Sequence, residues 1–184
     1  MSGRGTLFLI VGPSGAGKDS LIAAARERLP PGYVFPQRTI TRPREAGGEI
    51  HLEIDVDGFE RLERDRVFAL SWRAHGLCYG VPASIAANLR DGKHVIVNVS
   101  REIVPMARGL FSPLRVVEVT APAELRAARL RERGRESEGG IGSRLARAQA
   151  VEPDDRIVND GHLEDAVGAF LMALTKVEKD APGS

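Results

Sequence analysis

The stretch VGPSGAGKDS, residues 11–20, places three glycines, a lysine and a carboxylate within ten residues. Gly12, Gly17 and Lys18 have the spacing of the phosphate-binding loop, which reads G-x-x-x-x-G-K-[ST]. Because glycine lets the backbone turn sharply, several N–H groups can point at one anion at the start of a helix, and the lysine adds a point charge for the β- and γ-phosphates. We therefore predict that a nucleotide's phosphates bind the whole loop, which comprises Gly12, Pro13, Ser14, Gly15, Ala16, Gly17, Lys18, Asp19 and Ser20.

The residue after the lysine is Asp19, where this motif has a hydroxyl that holds Mg²⁺. An acidic residue in the first turn of a helix can simply complement the helix dipole, which contributes roughly 0.3–1 kcal/mol. A carboxylate beside a triphosphate opposes binding, however, unless a cation lies between them, and Mg²⁺ accepts carboxylate oxygens. Enzymes with a phosphate-binding loop usually carry an acidic metal partner at the end of a neighbouring strand, and the candidate positions in this chain are Asn98 and Ser100. We interpret Asp19 as a direct or water-mediated magnesium ligand, with Ser20 as the alternative.

The segments around the loop alternate between strand and helix patterns. TLFLIV (6–11) is typical of a buried parallel strand, and DSLIAAARERL (19–29) of the helix that follows the loop. VFALSWRAHGLCYGV (67–81) has a central glycine and predicts two short strands with a turn, whereas YVFPQRTI (33–40) predicts one extended segment. SRLARAQAV (143–151) predicts a further helix. This alternation indicates an α/β fold with a parallel sheet covered on both faces.

Length, charge and cysteine content exclude several classes of protein. The 184 residues fit one domain, and the net charge of +1 gives no electrostatic reason to expect nucleic acid or a membrane surface as partner. The apolar run Leu7–Val11 is too short for a signal peptide or a membrane span. The single cysteine, Cys78, excludes an internal disulfide framework and fits the reducing cytosol, so we expect a cytoplasmic protein. Nothing in the sequence indicates an oligomeric state.

Several further motifs give the chain a family resemblance over nearly its whole length. Their order and spacing resemble those of the guanylate kinase fold; the motifs are GPSGAGK, TITRPR, CYG, RLRERG followed by SRLARAQ, and IVND. The resemblance implies a single P-loop kinase domain with three parts. These are a core with a parallel sheet flanked by helices (about 1–33, 93–133 and 151–178), a small acceptor-binding subdomain (about 34–92) and a mobile lid (about 134–150).

The same resemblance implies roles for individual residues. It places the acceptor's phosphate at Arg42 and Arg44, with Tyr79 nearby and His51 where guanylate kinases carry a tyrosine. It implies that Lys18 is catalytic, together with lid arginines; the lid candidates are Arg133 and Arg144, and further Arg129 or Arg135. These lid arginines would meet the transferring group after closure. The resemblance also puts Asn159 near the adenine of ATP.

The departures from guanylate kinases concern the residues that read the base. Leu70 stands where those enzymes carry a glutamate for guanine, and Val81 where they carry a small hydroxyl residue. Asn98 and Ser100 replace acidic residues. A guanine facing these side chains would leave polar groups unpaired, at roughly 1–3 kcal/mol each. The sequence therefore disfavours a purine acceptor.

One branch of this fold has the same combination of features. The ribose 1,5-bisphosphate phosphokinases resemble this chain in GKDS, LSWRAHGLCYGV, VIVNVSR and RGRE. The resemblance implies that ATP phosphorylates the 1-phosphate of ribose 1,5-bisphosphate, giving 5-phosphoribosyl 1-diphosphate, with a link to bacterial phosphonate breakdown. The alternatives are a nucleoside monophosphate (guanylate) kinase and a non-catalytic guanylate-kinase-like binding module.

Overall fold

The computed structural model describes residues 4–43, 49–132 and 151–176. Its strands are β1 (Leu7–Val11), β2 (Tyr33–Val34), β3 (Thr39–Ile40), β4 (Leu52–Glu53), β5 (Phe68–Ala74), β6 (Leu77–Pro82), β7 (His94–Asn98), β8 (Leu114–Thr120) and β9 (Asp155–Val158). Its α-helices are α1 (Lys18–Arg28), α2 (Val56–Arg64), α3 (Ile85–Arg90), α4 (Val104–Leu110), α5 (Ala123–Glu132) and α6 (Leu163–Thr175). Some predictions fall outside the described residues: Arg44, Arg133, Arg135, Arg144, the lid at 134–150 and most of the helix predicted at 143–151.

A five-stranded parallel sheet forms the centre of the molecule, in the order β2-β7-β1-β8-β9. All five residues of β1 are buried, because the strand lies in the middle of the sheet and both faces are covered. Leu7, Leu9 and Val11 pack in one core cluster, which includes residues of α3, α4 and the β5–β6 hairpin. Phe8 and Ile10 pack in the other, with residues of α1 and α6. The predicted α/β fold is confirmed.

The strand ends bring separate parts of the sequence to one edge. Parallel strands finish at the same side of a sheet, and open α/β folds bind ligands there. The phosphate-binding loop follows β1, Asn98 ends β7 beside Ile10, and Asn159 follows β9 with its N–H donating to the Thr120 carbonyl. The candidate site therefore lies at the carboxyl edge of the large sheet.

A second, four-stranded sheet has the order β4-β3-β6-β5. Its main part is the β5–β6 hairpin, whose turn residues His75 and Gly76 both have positive φ, 53° and 73°. This left-handed pair matches the right-handed twist of a two-residue hairpin. The prediction of two short strands with a turn is confirmed.

The single extended segment predicted for YVFPQRTI is wrong. Its first residues, β2, pair with β7 of the large sheet, whereas β3 pairs with β4 and β6 of the small one. Pro36 lies between the two strands, and proline cannot donate to a strand ladder. The interruption leaves Arg38 in the passage from one sheet to the other.

No helix in the described ranges is long and apolar enough to cross a membrane.

Candidate functional site

The backbone of the phosphate-binding loop is shaped by glycine at two places where no side chain fits. Gly12 has φ 145°, and a Cβ there would collide with the Val119 carbonyl oxygen of β8. Gly17 has φ 93°, and a Cβ there would collide with the side-chain nitrogen of Asn159. The loop therefore runs close to the strand end, and its last glycine directly precedes α1.

Lys18 folds back over this loop. Its Nζ donates to the Gly12 carbonyl at 2.7 Å and to the Pro13 carbonyl at 3.0 Å. Burial lowers the pKa of Lys18 to about 8 and outweighs the neighbouring Asp19 carboxylate, which raises it. An anion that reaches the loop would therefore meet an ammonium group that is already desolvated.

Four further charged groups act electrostatically on that ammonium group. The guanidiniums of Arg38 and Arg101 lower the pKa of Lys18, and the carboxylate of Glu49 raises it. We call this set the loop charge cluster; its members are Lys18, Asp19, Arg38, Glu49 and Arg101. It combines three positive and two negative groups, which suits the binding of phosphates.

Asp19 is held by the end of β7. The Asn98 side-chain nitrogen donates to Oδ1 of Asp19 at 3.1 Å, which uses one of the two carboxylate oxygens. The part of the chain that the structure describes contains no group of three or more His, Cys, Asp or Glu side chains that could hold a metal. Mg²⁺ often binds through one or two carboxylates and completes its shell with water and phosphate oxygens. Asp19 fits that pattern, and its role as a metal ligand stays a prediction.

Asn159 and Arg129 form hydrogen bonds to the backbone of the loop. The buried Asn159 donates to the Ala16 carbonyl at 2.9 Å and accepts from Arg129 at 3.3 Å. Arg129 also donates to the Gly15 carbonyl at 3.3 Å. Both residues thus position the phosphate-binding loop (residues 12–20), which we call the donor loop. The adenine contact expected for Asn159 and the lid role considered for Arg129 stay predictions.

The predicted acceptor residues lie on the small sheet and the segment after β3. Arg42 lines an open cleft with Glu53 and Asp55. Its Nε is buried without a hydrogen-bond partner among the described residues. Tyr79 stacks on Trp72, with the ring centroids 5.2 Å apart.

His51 has a different environment from the one expected of a substrate ligand. It is buried, and its ring nitrogens contact the Glu49 carbonyl at 3.0 Å and the Arg42 carbonyl at 2.8 Å. The ring therefore ties together the backbone on both sides of 44–48. Because both nitrogens contact the main chain, the structure assigns His51 a positioning role, and direct contact with a substrate stays a prediction.

Sequence reasoning missed Arg38 as a site residue. Its guanidinium forms an ion pair with Glu49 and lies over the rings of Trp72 and Tyr79. The available signal was an arginine inside an extended segment. An arginine in an extended segment can be a buried residue that binds a ligand or a solvated surface residue, and the sequence alone does not distinguish the two.

Arg101 was missed as well. It follows β7 and donates to Glu118 of β8 at 2.8 Å, and Glu118 also accepts from Arg156 of β9 at 2.8 Å. Glu118 of β8 thus joins Arg101, in the turn after β7, to Arg156 of β9.

Leu70 and Val81 belong to the hydrophobic core. They pair across the β5–β6 hairpin and are 2% and 0% exposed, in one cluster with Val97 and Val99 of the large sheet. These positions therefore offer no polar group that could read the edge of a base.

Comparison with known proteins identifies the family. No protein-family model matches the chain. The ribose 1,5-bisphosphate phosphokinase PhnN of Acidiphilium cryptum is 50% identical over 99% of this chain and 98% of its own length. The PhnN protein of Chromobacterium violaceum is 47% identical over 92% of this chain and 94% of its own length. The chain belongs to the ribose 1,5-bisphosphate phosphokinase family.

The fold of this phosphokinase family member matches a solved guanylate kinase. The crystal structure of guanylate kinase from Anaplasma phagocytophilum aligns with a TM-score of 0.70 at 18% identity, covering 98% of this chain and 89% of that chain. At this identity the likeness concerns the fold alone. It confirms the guanylate-kinase-like architecture that the sequence motifs predicted.

The phosphokinase family member gathers its predicted site residues in two groups. The donor loop, Asp19 and Asn159 meet at the carboxyl edge of the large sheet. Arg42, His51 and Tyr79 lie on the side of the small sheet. Arg38 connects the two groups. Its charge lowers the pKa of Lys18 in the first group, and its guanidinium packs on the Tyr79 ring in the second.

Proposed function

We propose that the chain transfers the γ-phosphoryl group of ATP to the 1-phosphate of ribose 1,5-bisphosphate, giving 5-phospho-α-D-ribose 1-diphosphate (PRPP) and ADP. The observation that carries this proposal is the 50% identity, over 99% of the chain, to a protein named for that phosphokinase activity. The donor loop supports it, because Lys18 and the glycines that form a phosphate-binding loop are in place.

In the proposed reaction an oxygen of the acceptor's 1-phosphate forms a bond to the γ-phosphorus of ATP. The bond from that phosphorus to the β–γ bridging oxygen breaks, and ADP leaves with the electron pair. The second pKa of a phosphate monoester lies near 6, so the attacking oxygen is already deprotonated at neutral pH. No general base is needed, and the protein contributes positioning and charge neutralisation.

In the proposed reaction the residues of the loop and the arginines have separate roles. Lys18 would leave the Gly12 and Pro13 carbonyls and bind the β- and γ-phosphates, while the loop's N–H groups bind the same anion. Asp19 would hold Mg²⁺, which supplies positive charge to the phosphates when bound. Arg42 and the arginines outside the described residues, Arg44, Arg133 and Arg144, would bind the acceptor and the transferring group.

The residues of the small sheet at positions 70 and 81 do not favour the alternative function, a guanylate kinase. A guanine pocket needs a carboxylate and a hydroxyl for the base, and Leu70 and Val81 are buried apolar residues instead. The direct test of the proposal is incubation of the protein with ATP, Mg²⁺ and ribose 1,5-bisphosphate. Phosphorus NMR should show the diphosphate of PRPP, and ADP formation without that product would contradict the proposal.

The depressed pKa of Lys18 predicts a pH dependence. The charged ammonium must bind phosphate, so kcat/KM for ATP should fall as the pH rises through about 8, where the free enzyme loses this proton. Bound phosphates favour the ammonium form, so the corresponding fall in kcat should lie at higher pH. Profiles of both parameters between about pH 6 and pH 10 test this. A value of kcat/KM that stays constant to the upper end would contradict the assignment.

Replacing Asp19 by asparagine tests the metal role. The neutral amide is a poorer magnesium ligand, so we expect about tenfold more Mg²⁺ for half-maximal rate, together with a lower maximal rate. Asp57→Asn is the matched control, because Asp57 is an exposed carboxylate in the first turn of α2. If Asp19→Asn keeps the wild-type Mg²⁺ dependence and changes stability as Asp57→Asn does, Asp19 only complements the helix dipole.

A further inference from the structure

Arg38 and Glu49 form a shielded ion pair between the two sheets. Their side chains are 8% and 22% exposed. Arg38 Nε donates to one carboxylate oxygen of Glu49 at 3.2 Å, and the other oxygen accepts from Nη2. This two-pronged contact is the geometry in which a guanidinium binds either a carboxylate or a phosphate.

The guanidinium is oriented by two aromatic rings. Trp72 and Tyr79 are register partners across the β5–β6 hairpin, and their rings are nearly parallel, at 4°. The Arg38 guanidinium carbon lies 5.6 Å from the Trp72 centroid and 5.4 Å from the Tyr79 centroid. The N–H donors of a guanidinium lie in its plane, and Glu49 accepts from two of the Arg38 nitrogens.

The ion pair also lies within electrostatic reach of the donor loop. Arg38 lowers the pKa of Lys18, and Glu49 raises it. An anion bound in the place of the Glu49 carboxylate would therefore also lie within electrostatic reach of the Lys18 ammonium group. The attacking phosphate of an acceptor has to come within reach of that group.

The chain contains a second arginine–glutamate pair of the same kind, which serves as an internal reference. Arg73 of β5 and Glu63 of α2 are also joined by two contacts, and Arg73 lies over the Phe59 ring at 5.9 Å. Their side chains are 53% and 32% exposed. The charged groups that shift the pKa of Lys18 most are Asp19, Arg38, Arg101 and Glu49, and this pair is not among them. An arginine–glutamate ion pair beside an aromatic ring therefore occurs twice among the described residues. What distinguishes Arg38 from Arg73 is its electrostatic influence on Lys18.

We propose that Arg38 binds the acceptor phosphate that faces the donor loop, and that Glu49 occupies the same guanidinium donors until this phosphate displaces it. The proposal rests on the proposed function for the identity of the acceptor. Arg38 is then a substrate-binding residue, and Glu49 is a competitor that the acceptor must replace. The acceptor carries two phosphates, so it offers the stronger partner for the guanidinium.

The chain's single tryptophan, Trp72, allows this to be measured without turnover. Ribose 1,5-bisphosphate and inorganic phosphate, each added without ATP, should change the Trp72 fluorescence as Arg38 turns from Glu49 to the ligand. We expect Arg38→Met and Arg38→Lys to raise the dissociation constant of ribose 1,5-bisphosphate by about tenfold or more. Arg38→Lys keeps the charge and lacks the planar fork, so it separates fork geometry from charge alone. The KM for ATP should stay within about twofold in both variants, because the donor loop is intact.

Glu49→Gln separates the proposal from a purely structural role of the ion pair, because only the proposal predicts tighter binding of the acceptor in this variant. Removing the competing charge should tighten the binding of ribose 1,5-bisphosphate by about threefold or more, although the variant loses an ion pair. Arg73→Met and Glu63→Gln are the controls and should leave both constants unchanged. Weaker binding in Glu49→Gln, or unchanged binding in folded Arg38→Lys, would overturn the proposal.

These outcomes are separate from those of the proposed function. If the wild type makes no PRPP but its Trp72 fluorescence still reports Arg38-dependent phosphate binding, the phosphate site stands and the proposed reaction fails. If the wild type makes PRPP and the Arg38 variants bind the acceptor normally, the reaction stands and the assignment of Arg38 fails.

Discussion

Lys18→Ala should reduce kcat by about a thousandfold or more, because cationic groups at a transferring phosphoryl group contribute that much to phosphoryl transfer. The fold should survive, since the Lys18 ammonium contacts the carbonyls of its own loop, at Gly12 and Pro13. The change also removes a charge whose burial is unfavourable. We expect the free energy of unfolding to change by no more than about 1 kcal/mol.

The measurement is steady-state turnover of ATP with saturating ribose 1,5-bisphosphate, together with thermal unfolding of both proteins. Lys93→Ala is the matched control, because Lys93 is an exposed lysine before β7. The control should keep the wild-type rate. A folded Lys18→Ala protein with near-normal kcat would contradict the whole kinase assignment.

The second large effect concerns the choice of acceptor. We expect kcat/KM for ribose 1,5-bisphosphate to exceed that for GMP by about 10⁴ or more. Guanine would have to place its polar edge against the buried side chains of Leu70 and Val81, whereas the acceptor side offers arginines for phosphate. Unpaired polar groups discriminate strongly because their lost hydrogen bonds to water are not replaced.

Both acceptors are compared at one ATP and Mg²⁺ concentration, with ADP formation as the common readout. Ribose 5-phosphate is the matched control acceptor, because it keeps the sugar and one phosphate and lacks the attacking 1-phosphate. Comparable values for ribose 1,5-bisphosphate and GMP, or a preference for GMP, would identify a guanylate kinase.

The donor loop could be predicted because its information is local. Gly12, Gly17 and Lys18 lie within seven consecutive residues, and their spacing alone specifies a turn that collects N–H groups at a helix start. The hairpin was predictable for the same reason, since one glycine interrupts a strand pattern.

The contacts of the supporting residues could not be predicted, because their partners are distant in the sequence. Asn159 is bonded to Ala16 across 143 positions, and Arg38 meets rings that belong to a later hairpin. No local sequence pattern around Asn159 or Arg38 predicts which residue it contacts. Pro36 was a visible signal that the extended segment is interrupted, and the sheet that each half joins depends on tertiary pairing.

The bond from Asn159 to Ala16 makes the donor loop depend on the opposite end of the chain. Strand β9, which leads into Asn159, stands at the end of its sheet in the described residues and pairs there with β8. Edge strands open locally at a lower free energy than the centre of a sheet. Local opening of β9 would therefore remove this bond from the loop without global unfolding. Thermodynamic linkage acts in both directions, so we expect bound nucleotide to protect the amides of β9 from exchange with solvent.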